Sequence, residues 1–219
     1  MINKNIIIIL PMRSGSQRVI NKNCRIINNK FLYEFIIEKI FDIKLVSKIL
    51  INTDIENVHK KYAFNKKIEL MKRSNNLKGN CNINLVINDC INKINADLYI
   101  QVHATNPLFK SKTLENAINF YFDNINQYDS LFSVTKILKR FWYESGDPVN
   151  HDILDEPTTQ NLKPYFEENS CFYLFTQESF KKNNNRIGLK PKLFEISKEE
   201  SWDVDDEEDL LILEKLLNN

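Results

Sequence analysis

The feature that most constrains the fold is an alternation between short apolar runs and segments whose apolar residues recur at helical spacing. The first apolar run, IIIIL at residues 6–10, has the composition of a strand that is buried on both faces. Strands in alternation with helices form a parallel sheet, because each crossover between parallel strands needs a long connection that is usually a helix. We therefore predict an α/β fold with a mostly parallel sheet and helices on both of its faces.

This alternation continues along most of the chain. Strands are predicted at residues 6–10, 48–52, 68–71, 97–102, 129–136, 171–175 and 192–196, and helices at residues 31–41, 55–63, 82–93, 111–122 and 206–217. The stretch 137–164 breaks the rhythm, because it carries one glycine, three prolines and poor periodicity. We predict one domain over residues 1–219, in which residues 137–170 are an inserted arm or lid.

Composition excludes several classes of function. The 219-residue chain has 30 basic and 29 acidic residues, whereas a nucleic-acid binder would show a basic excess. Four cysteines without a C-x-x-C pair and three distant histidines argue against a structural zinc site and favour reduced thiols. The apolar start is too short for a signal peptide or a membrane span. We expect a soluble cytoplasmic protein that contacts neither nucleic acid nor membrane.

Ligands of such sheets bind at the carboxyl ends of the strands, which directs attention to residues 11–25, 52–54, 73–84 and 103–108. The first of these loops, PMRSGSQRVINKNCR, concentrates four cations in a chain that is nearly neutral overall. The glycines of the chain are too scattered for a G-x-G-x-x-G or a Walker A loop. Ser14-Gly15-Ser16 still allows backbone N–H groups to approach an anion, and Arg13, Arg18 and Lys22 add charge. The loop predicts a triphosphate site, with a solvated basic loop as the alternative.

Seven short motifs follow one another in order along the chain. They are PMRSGSQRVINKN from residue 11, INTD from 51, KRS from 72, QVHATNPL from 101, DSLFSVTK from 129, ENSCFY from 168 and WDVD from 202. The ordered set resembles the cytidylyltransferases that make CMP-activated acidic sugars, the family of the CMP-N-acetylneuraminate synthetases, whose opening signature is P-A-R-G-G-S-K-R-[IV]-P-x-K-N. The resemblance implies a Rossmann-like nucleotidyltransferase fold. It also implies that the anomeric hydroxyl of a sugar attacks the α-phosphate of CTP and that pyrophosphate leaves.

The resemblance assigns roles to individual positions. Arg13, Lys22, Asp203 and Asp205 are the expected catalytic residues. The expected nucleotide-binding residues are Met12, Arg13, Ser14, Gly15, Ser16, Arg18, Lys22, Asn23, Arg73 and Asn84. The expected sugar-binding residues are Gln101, His103, Thr105, Asn169 and Tyr173. For His103, a structural or solvated role is the alternative, and a homodimer through the arm is implied by the family.

Asp203 and Asp205 are expected to hold Mg²⁺. On an extended segment residues i and i+2 point to one face, roughly 6–7 Å apart, and two carboxylates so placed can share a metal with phosphates. The alternative is that acidic residues simply favour the start of a helix, which is our interpretation of residues 206–209. Asp54 is left open between the metal, the nucleotide and a helix cap.

Four departures from the family pattern bear on the substrate. Gln17 replaces a lysine, Ile20 a proline and Ser74 the proline of an R-P motif. Sialic-acid-activating relatives have a basic residue that can face the sugar carboxylate, and here Thr158 and Thr159 stand in its place. Either Lys163 replaces that basic residue from a different angle, or the sugar differs. The sugar is therefore left open among sialic, legionaminic and pseudaminic acid, Kdn and Kdo. The alternatives are a related enzyme that uses another nucleotide or a sugar phosphate, and a binding paralogue without turnover.

Overall fold

A computed structural model describes residues 4–16, 18–155 and 158–218. Its strands are β1 (Ile6–Met12), β2 (Ile26–Ile27), β3 (Lys30–Phe31), β4 (Lys48–Thr53), β5 (Ile68–Lys72), β6 (Leu98–Val102), β7 (Ser130–Ile137), β8 (Tyr165–Phe175) and β9 (Pro191–Glu195). Its helices are α1 (Leu32–Phe41), α2 (Glu56–Tyr62), α3 (Ile83–Lys93), α4 (Ser111–Asp123), α5 (Gln177–Asn183) and α6 (Glu207–Leu217).

Seven of the strands form one sheet in the order β5-β4-β1-β6-β8-β7-β9. β1 pairs in parallel with β4 on one side and with β6 on the other, and β7 pairs in parallel with β9. Only β8, among the described strands of this sheet, runs antiparallel to its neighbours β6 and β7. The predicted α/β fold with a mostly parallel sheet is confirmed.

Both faces of the sheet are covered, as the unbroken apolar run of β1 predicts. Ile6, Ile8 and Leu10 pack on one face against residues of α1, α2 and α4. Ile7 and Ile9 pack on the other face against residues of α3 and α5. Because successive side chains of a strand point to opposite faces, β1 is the centre of two cores and its last residues reach the edge where a ligand can bind.

The arm differs from its prediction at the C-terminal end. β8 begins at Tyr165, so residues 165–170, which were predicted to belong to the arm, are part of a strand of the main sheet. The strand predicted at residues 171–175 is therefore six residues too short at its start. The first four residues of β8 are exposed and pair with the end of β7, which leaves no apolar alternation for the sequence to reveal. The pairing register shifts between Phe132 and Val134, beside Ser170, whose φ of 61° is left-handed.

The prediction also lacked three short elements. These are the antiparallel pair β2 and β3, of two residues each, and helix α5. Within the ranges described above, no helix is long and apolar enough to cross a membrane.

Candidate active site

A cavity of about 660 Å³ opens at the carboxyl ends of the parallel strands. It is lined by Pro11, Arg13, Ser16, Arg18, Lys22, Asn23, Arg73, Gly79, Asn80, Cys81, Ile83, Val86, His103, Ala104 and Thr105. All but Val86 come from three of the four loops to which the strand pattern directs attention. The expected sheet edge is thus the edge that carries the cavity.

The opening loop is fastened to the end of β4 by Asp54. The carboxylate of Asp54 accepts the Ser14 N–H at 2.7 Å and the Ser14 hydroxyl at 2.8 Å. Burial alone would raise the pKa of Asp54, but the hydrogen bonds from Ser14 outweigh it and lower this pKa below its ordinary value. Gly15 has a φ of 68°, a conformation that only glycine adopts easily. Asp54 therefore holds the loop in place, a role closer to support than to a metal ligand or a helix cap.

Further along, Ser16 closes the loop on itself. Its hydroxyl donates to the carbonyl of Val19 and accepts the Lys22 N–H at 2.8 Å. The side chain of Met12 is 1% exposed and packs in the core, so only its backbone can face a nucleotide. The departure at Gln17 lies outside the described residues.

Lys22 and Arg18 converge on one carboxylate. Lys22 Nζ donates to the carbonyl of Val204 and lies 3.1 Å from Asp205 Oδ1, while Arg18 Nη2 lies 2.9 Å from the same oxygen. The side chain of Lys22 is 11% exposed and that of Arg18 is 71% exposed. Two cations on one oxygen show that the opening loop and the segment before α6 form a single charged centre, where the sequence analysis had treated them separately.

Asp203 lies beside this charged centre, and its carboxyl group has a raised pKa. Burial, the nearby Asp205 and Asp209 raise the pKa of Asp203 to about 6, although Thr105 and Lys22 oppose the shift. Its Oδ1 is buried without a hydrogen-bond partner in the described part of the chain. The same ranges hold no group of three or more His, Cys, Asp or Glu side chains suited to a metal ion. Any metal here would therefore take ligands from the nucleotide as well as from the two carboxylates.

The far wall of the cavity carries Arg73, which is 4% exposed. Its Nε donates to Asn52 Oδ1 at 2.9 Å and its Nη2 to the Asn52 carbonyl at 3.2 Å. Asn23 Nδ2 donates to the carbonyl of Arg13 at 2.9 Å, and Arg13 Nη1 donates to Asn80 Oδ1 at 2.7 Å. Three expected nucleotide residues are thus brought together, and a buried asparagine orients Arg73.

Three of the five expected sugar-binding residues, Gln101, His103 and Tyr173, lie around Arg186, which the sequence analysis missed. Arg186 Nη1 donates to Gln101 Oε1 at 2.7 Å and lies 3.4 Å from His103 Nε2. Its guanidinium carbon is 3.6 Å from the ring centroid of Tyr173. One signal in the sequence could have indicated Arg186: arginine is rare in this chain, which has six arginines and 24 lysines.

Two expected residues use their side chains in the scaffold. Asn84 Oδ1 accepts the backbone N–H of Arg186 at 3.2 Å, which ties the loop after α5 to the start of α3. Asn169 Oδ1 accepts from the Ser133 hydroxyl at 2.6 Å, and its Nδ2 donates to Thr135 at 3.0 Å, across the register shift of β8. For both residues, contact with a substrate stays a prediction. Within the arm, Thr159 lies in a single 3-10 turn, Thr159–Asn161, and Glu156 and Pro157 lie outside the described residues.

A fold with cations and paired carboxylates at one edge has counterparts among known proteins. The model of the cytidylyltransferase family matches residues 7–210. The chain belongs to the cytidylyltransferase family. It is therefore a nucleotidyltransferase enzyme, and the resemblance read from the ordered motifs is confirmed.

This cytidylyltransferase has two curated relatives of low identity. It is 26% identical to the post-translational flagellin modification protein B of Campylobacter coli, over 94% of this chain and 92% of that protein. It is 24% identical to the N-acylneuraminate cytidylyltransferase A of Danio rerio over 93% of this chain, which spans 48% of that longer protein.

Solved structures share the fold of the cytidylyltransferase. A CMP:2-keto-3-deoxy-manno-octonic acid synthetase complexed with CTP superposes with a TM-score of 0.71, 16% identity and 98% of both chains covered. The 4-diphosphocytidyl-2C-methyl-D-erythritol synthase of Anaerococcus prevotii superposes with a TM-score of 0.70 and 10% identity, over 99% of this chain and 97% of that one. At such identities these likenesses establish the fold, which is the expected α/β nucleotidyltransferase fold.

Proposed function

We propose that this cytidylyltransferase transfers CMP from CTP to the anomeric hydroxyl of an acidic 2-keto-3-deoxy sugar and releases pyrophosphate. The observation that carries the proposal is the meeting of Lys22 and Arg18 with Asp205, beside Asp203, at one end of a nucleotide-sized cavity. The name of the Danio rerio relative supports an acidic sugar as the acceptor. The candidate sugars are those of the sequence analysis: sialic, legionaminic and pseudaminic acid, Kdn and Kdo.

The proposed transfer forms one bond and breaks one. The anomeric oxygen of the sugar bonds to the α-phosphorus and its proton is released, while the bond from the α-phosphorus to the oxygen that bridges to the β-phosphate breaks. Such a transfer depends on positioning and on cations placed where charge develops. Arg13 and Arg18 would hold the phosphates, Lys22 would neutralise the leaving pyrophosphate, and Arg73 and Asn23 would hold the nucleoside.

We propose Mg²⁺ as the cofactor, held by Asp203 and Asp205 together with phosphate oxygens. The residues fit the ion: Asp203 Oδ1 lacks a hydrogen-bond partner among the described residues, and both ligands are the hard oxygens that Mg²⁺ prefers. The ion would supply charge neutralisation on the triphosphate. On this proposal, Arg18 gives up its ion pair with Asp205 and turns to the phosphates.

We also propose a homodimer formed through the arm. Exposed apolar side chains are concentrated there, among them Trp142, Tyr143, Ile153 and Leu154. A monomer rarely leaves such a group in water, and interfaces are enriched in aromatic residues.

The test of the activity is pyrophosphate release from CTP and Mg²⁺ across a panel of the five acidic sugars. We expect release with one of them, little with UTP, and loss with Asp205→Asn. Glu208→Gln is the matched control, because Glu208 is also an acidic side chain near the start of α6 but is exposed. Release only with a sugar phosphate or with another nucleotide would replace the proposal by the related enzyme. CTP binding without release would favour the binding paralogue.

A further inference from the structure

Arg186 is a cation that the structure largely removes from water and pairs with a single carboxylate, which is itself partly exposed. Its side chain is 12% exposed, whereas that of its acidic neighbour Glu168 is 43% exposed. Arg186 Nη2 lies 3.5 Å from Glu168 Oε1, beyond the 2.7–2.9 Å of a charge-assisted hydrogen bond. The same Glu168 oxygen accepts the Tyr173 hydroxyl. A buried guanidinium whose ion pair is this long still favours an anion at its free edge.

The surroundings of Arg186 hold it rigidly and add a donor. Tyr173 stacks under the guanidinium, and Gln101 Oε1 accepts from Nη1, which fixes the orientation of the Gln101 amide because a guanidinium can only donate. Gln101 is fully buried, and its Nε2 has no acceptor within the described ranges. An anion that binds beside Arg186 is the acceptor that this donor lacks.

His103 connects this cluster to the reaction centre. It lines the cavity, and burial first, then Arg186 and Lys22, lower its pKa to about 3, against the opposing effect of Asp205. His103 is therefore neutral. It lies in a positive potential to which both Arg186 and Lys22 contribute. Cationic groups thus lie on both sides of His103, and the proposed triphosphate site accounts for Lys22 but not for Arg186.

We propose that Arg186 binds the carboxylate of the acidic sugar. This inference rests on the proposed function and deepens it, because it names the group that distinguishes an acidic sugar from a neutral one. The planar fork of arginine matches a carboxylate in a way that a lysine cannot. Tyr173 is a positioning residue in this scheme, since it holds Arg186 in place, whereas Gln101 both orients Arg186 and donates to the anion.

The experiment compares each panel acid with its C1 amide, which removes the charge and keeps the size. In the wild-type protein we expect kcat/KM for the acid to exceed that for the amide by about 100-fold, as for a buried charged pair. Arg186→Gln should lose roughly that factor with the acid and little with the amide, while CTP affinity measured by calorimetry stays within about 2-fold. Arg186→Lys should fall between the two. Lys190→Gln, which removes an exposed charge from the same loop, should leave all values unchanged.

Equal losses with acid and amide, or a parallel loss of CTP affinity, would overturn the proposal. If Arg186→Gln does not fold, Arg186→Lys is judged by the same comparison. Calorimetric titration of each acid into protein saturated with α,β-methylene-CTP separates this inference from the activity. If no acid yields pyrophosphate, the proposed function fails, and acid binding that Arg186→Gln abolishes still supports Arg186. If no acid binds to the wild-type protein, both proposals fail.

Discussion

Lys22 is the side chain through which the opening loop meets the segment before α6, and its replacement tests the transfer step. In Lys22→Met we expect kcat to fall by about 100-fold or more, because the proposed function places this cation on the developing charge of pyrophosphate. Steady-state pyrophosphate release measures the effect. Lys60→Met removes an exposed lysine of α2 and should be neutral. A rise in KM for CTP with unchanged kcat would instead assign Lys22 to ground-state binding.

Asp203 offers a second test at the residue scale, through stability. Its pKa is raised to about 6 in the folded protein, so the ionised carboxylate costs free energy at pH 7 and none below about pH 4, where it is neutral in both folded and unfolded chains. Asp203→Asn should therefore raise the free energy of unfolding at pH 7 by roughly 2 kcal/mol while it abolishes activity.

Urea unfolding in EDTA measures this difference, which should shrink as the pH falls from about 6 to about 4. Asp97→Asn on an exposed edge, where the carboxylate accepts a backbone N–H from Asn5, should not show this gain. A variant that is less stable than the wild-type protein at pH 7 would contradict the assigned cost of burying Asp203.

A site residue can be predicted from the sequence when its place in the fold depends only on the strand or helix next to it in the chain. Arg13, Lys22 and the two aspartates stand in short motifs directly after a strand or before a helix, so their place at the sheet edge follows from the strand pattern. Arg186 follows a seven-residue helix that was not predicted, and it reaches Gln101 across a sequence separation of 85 residues. Such a contact depends on how α5 packs on the sheet, which no local pattern encodes.

At the scale of elements, the start of α6 connects stability to the site. The Asp206 side chain accepts the Asp209 N–H at 2.9 Å, and Asp209 Oδ2 accepts the N–H groups of Asp205 at 2.8 Å and of Asp206 at 3.0 Å. This reciprocal capping box shows that Asp206 and Asp209 stabilise the start of the helix, as was interpreted for the acidic residues there. It also fixes the backbone of the residue that both loop cations contact.

Asp209→Ala should therefore affect two measurements together. We expect a loss of about 1 kcal/mol in the free energy of unfolding, as for other capping residues. We also expect kcat to fall by more than the CTP affinity does, because Asp205 is no longer held in place. Glu208→Ala in the same turn should change neither quantity appreciably. Unaltered kinetics in Asp209→Ala would show that the cap serves stability alone.

The predictability of the elements follows their burial. The central strands β1, β4 and β6 are apolar because both of their faces are covered, and their predicted bounds agree with the structure within one or two residues. The exposed half of β8 carries no such signal, and the two-residue strands β2 and β3 are too short for any periodicity. Strand pairing alone defines these elements, and pairing is a property of the folded chain.

At the scale of the molecule, the sheet order explains why distant motifs share one site. β1 lies between β4 and β6, so the loops that follow these three parallel strands meet at one edge. β8 runs the other way between β6 and β7 and brings Tyr173 into register with Gln101. The residues expected to bind the nucleotide thus come from the parallel half of the sheet, whereas the cluster around Arg186 needs the antiparallel strand. The alternation of strands and helices in the sequence predicts the parallel half of the sheet, but it does not predict where the antiparallel strand β8 lies.

The arm provides the last test, because the proposed dimer concerns the molecule as a whole. Tyr143 is 62% exposed and Leu154 96% exposed, although both are apolar enough to be buried in an interface. Sedimentation velocity should give a mass twice that of one chain, and the double variant Tyr143→Asp, Leu154→Asp should give monomers at micromolar concentration, because two desolvated charges oppose association. Phe64→Asp, at a side chain 99% exposed outside the arm, should remain dimeric. A wild-type protein that sediments as a monomer would contradict the proposal, and a dimer that only Phe64→Asp dissociates would move the interface away from the arm.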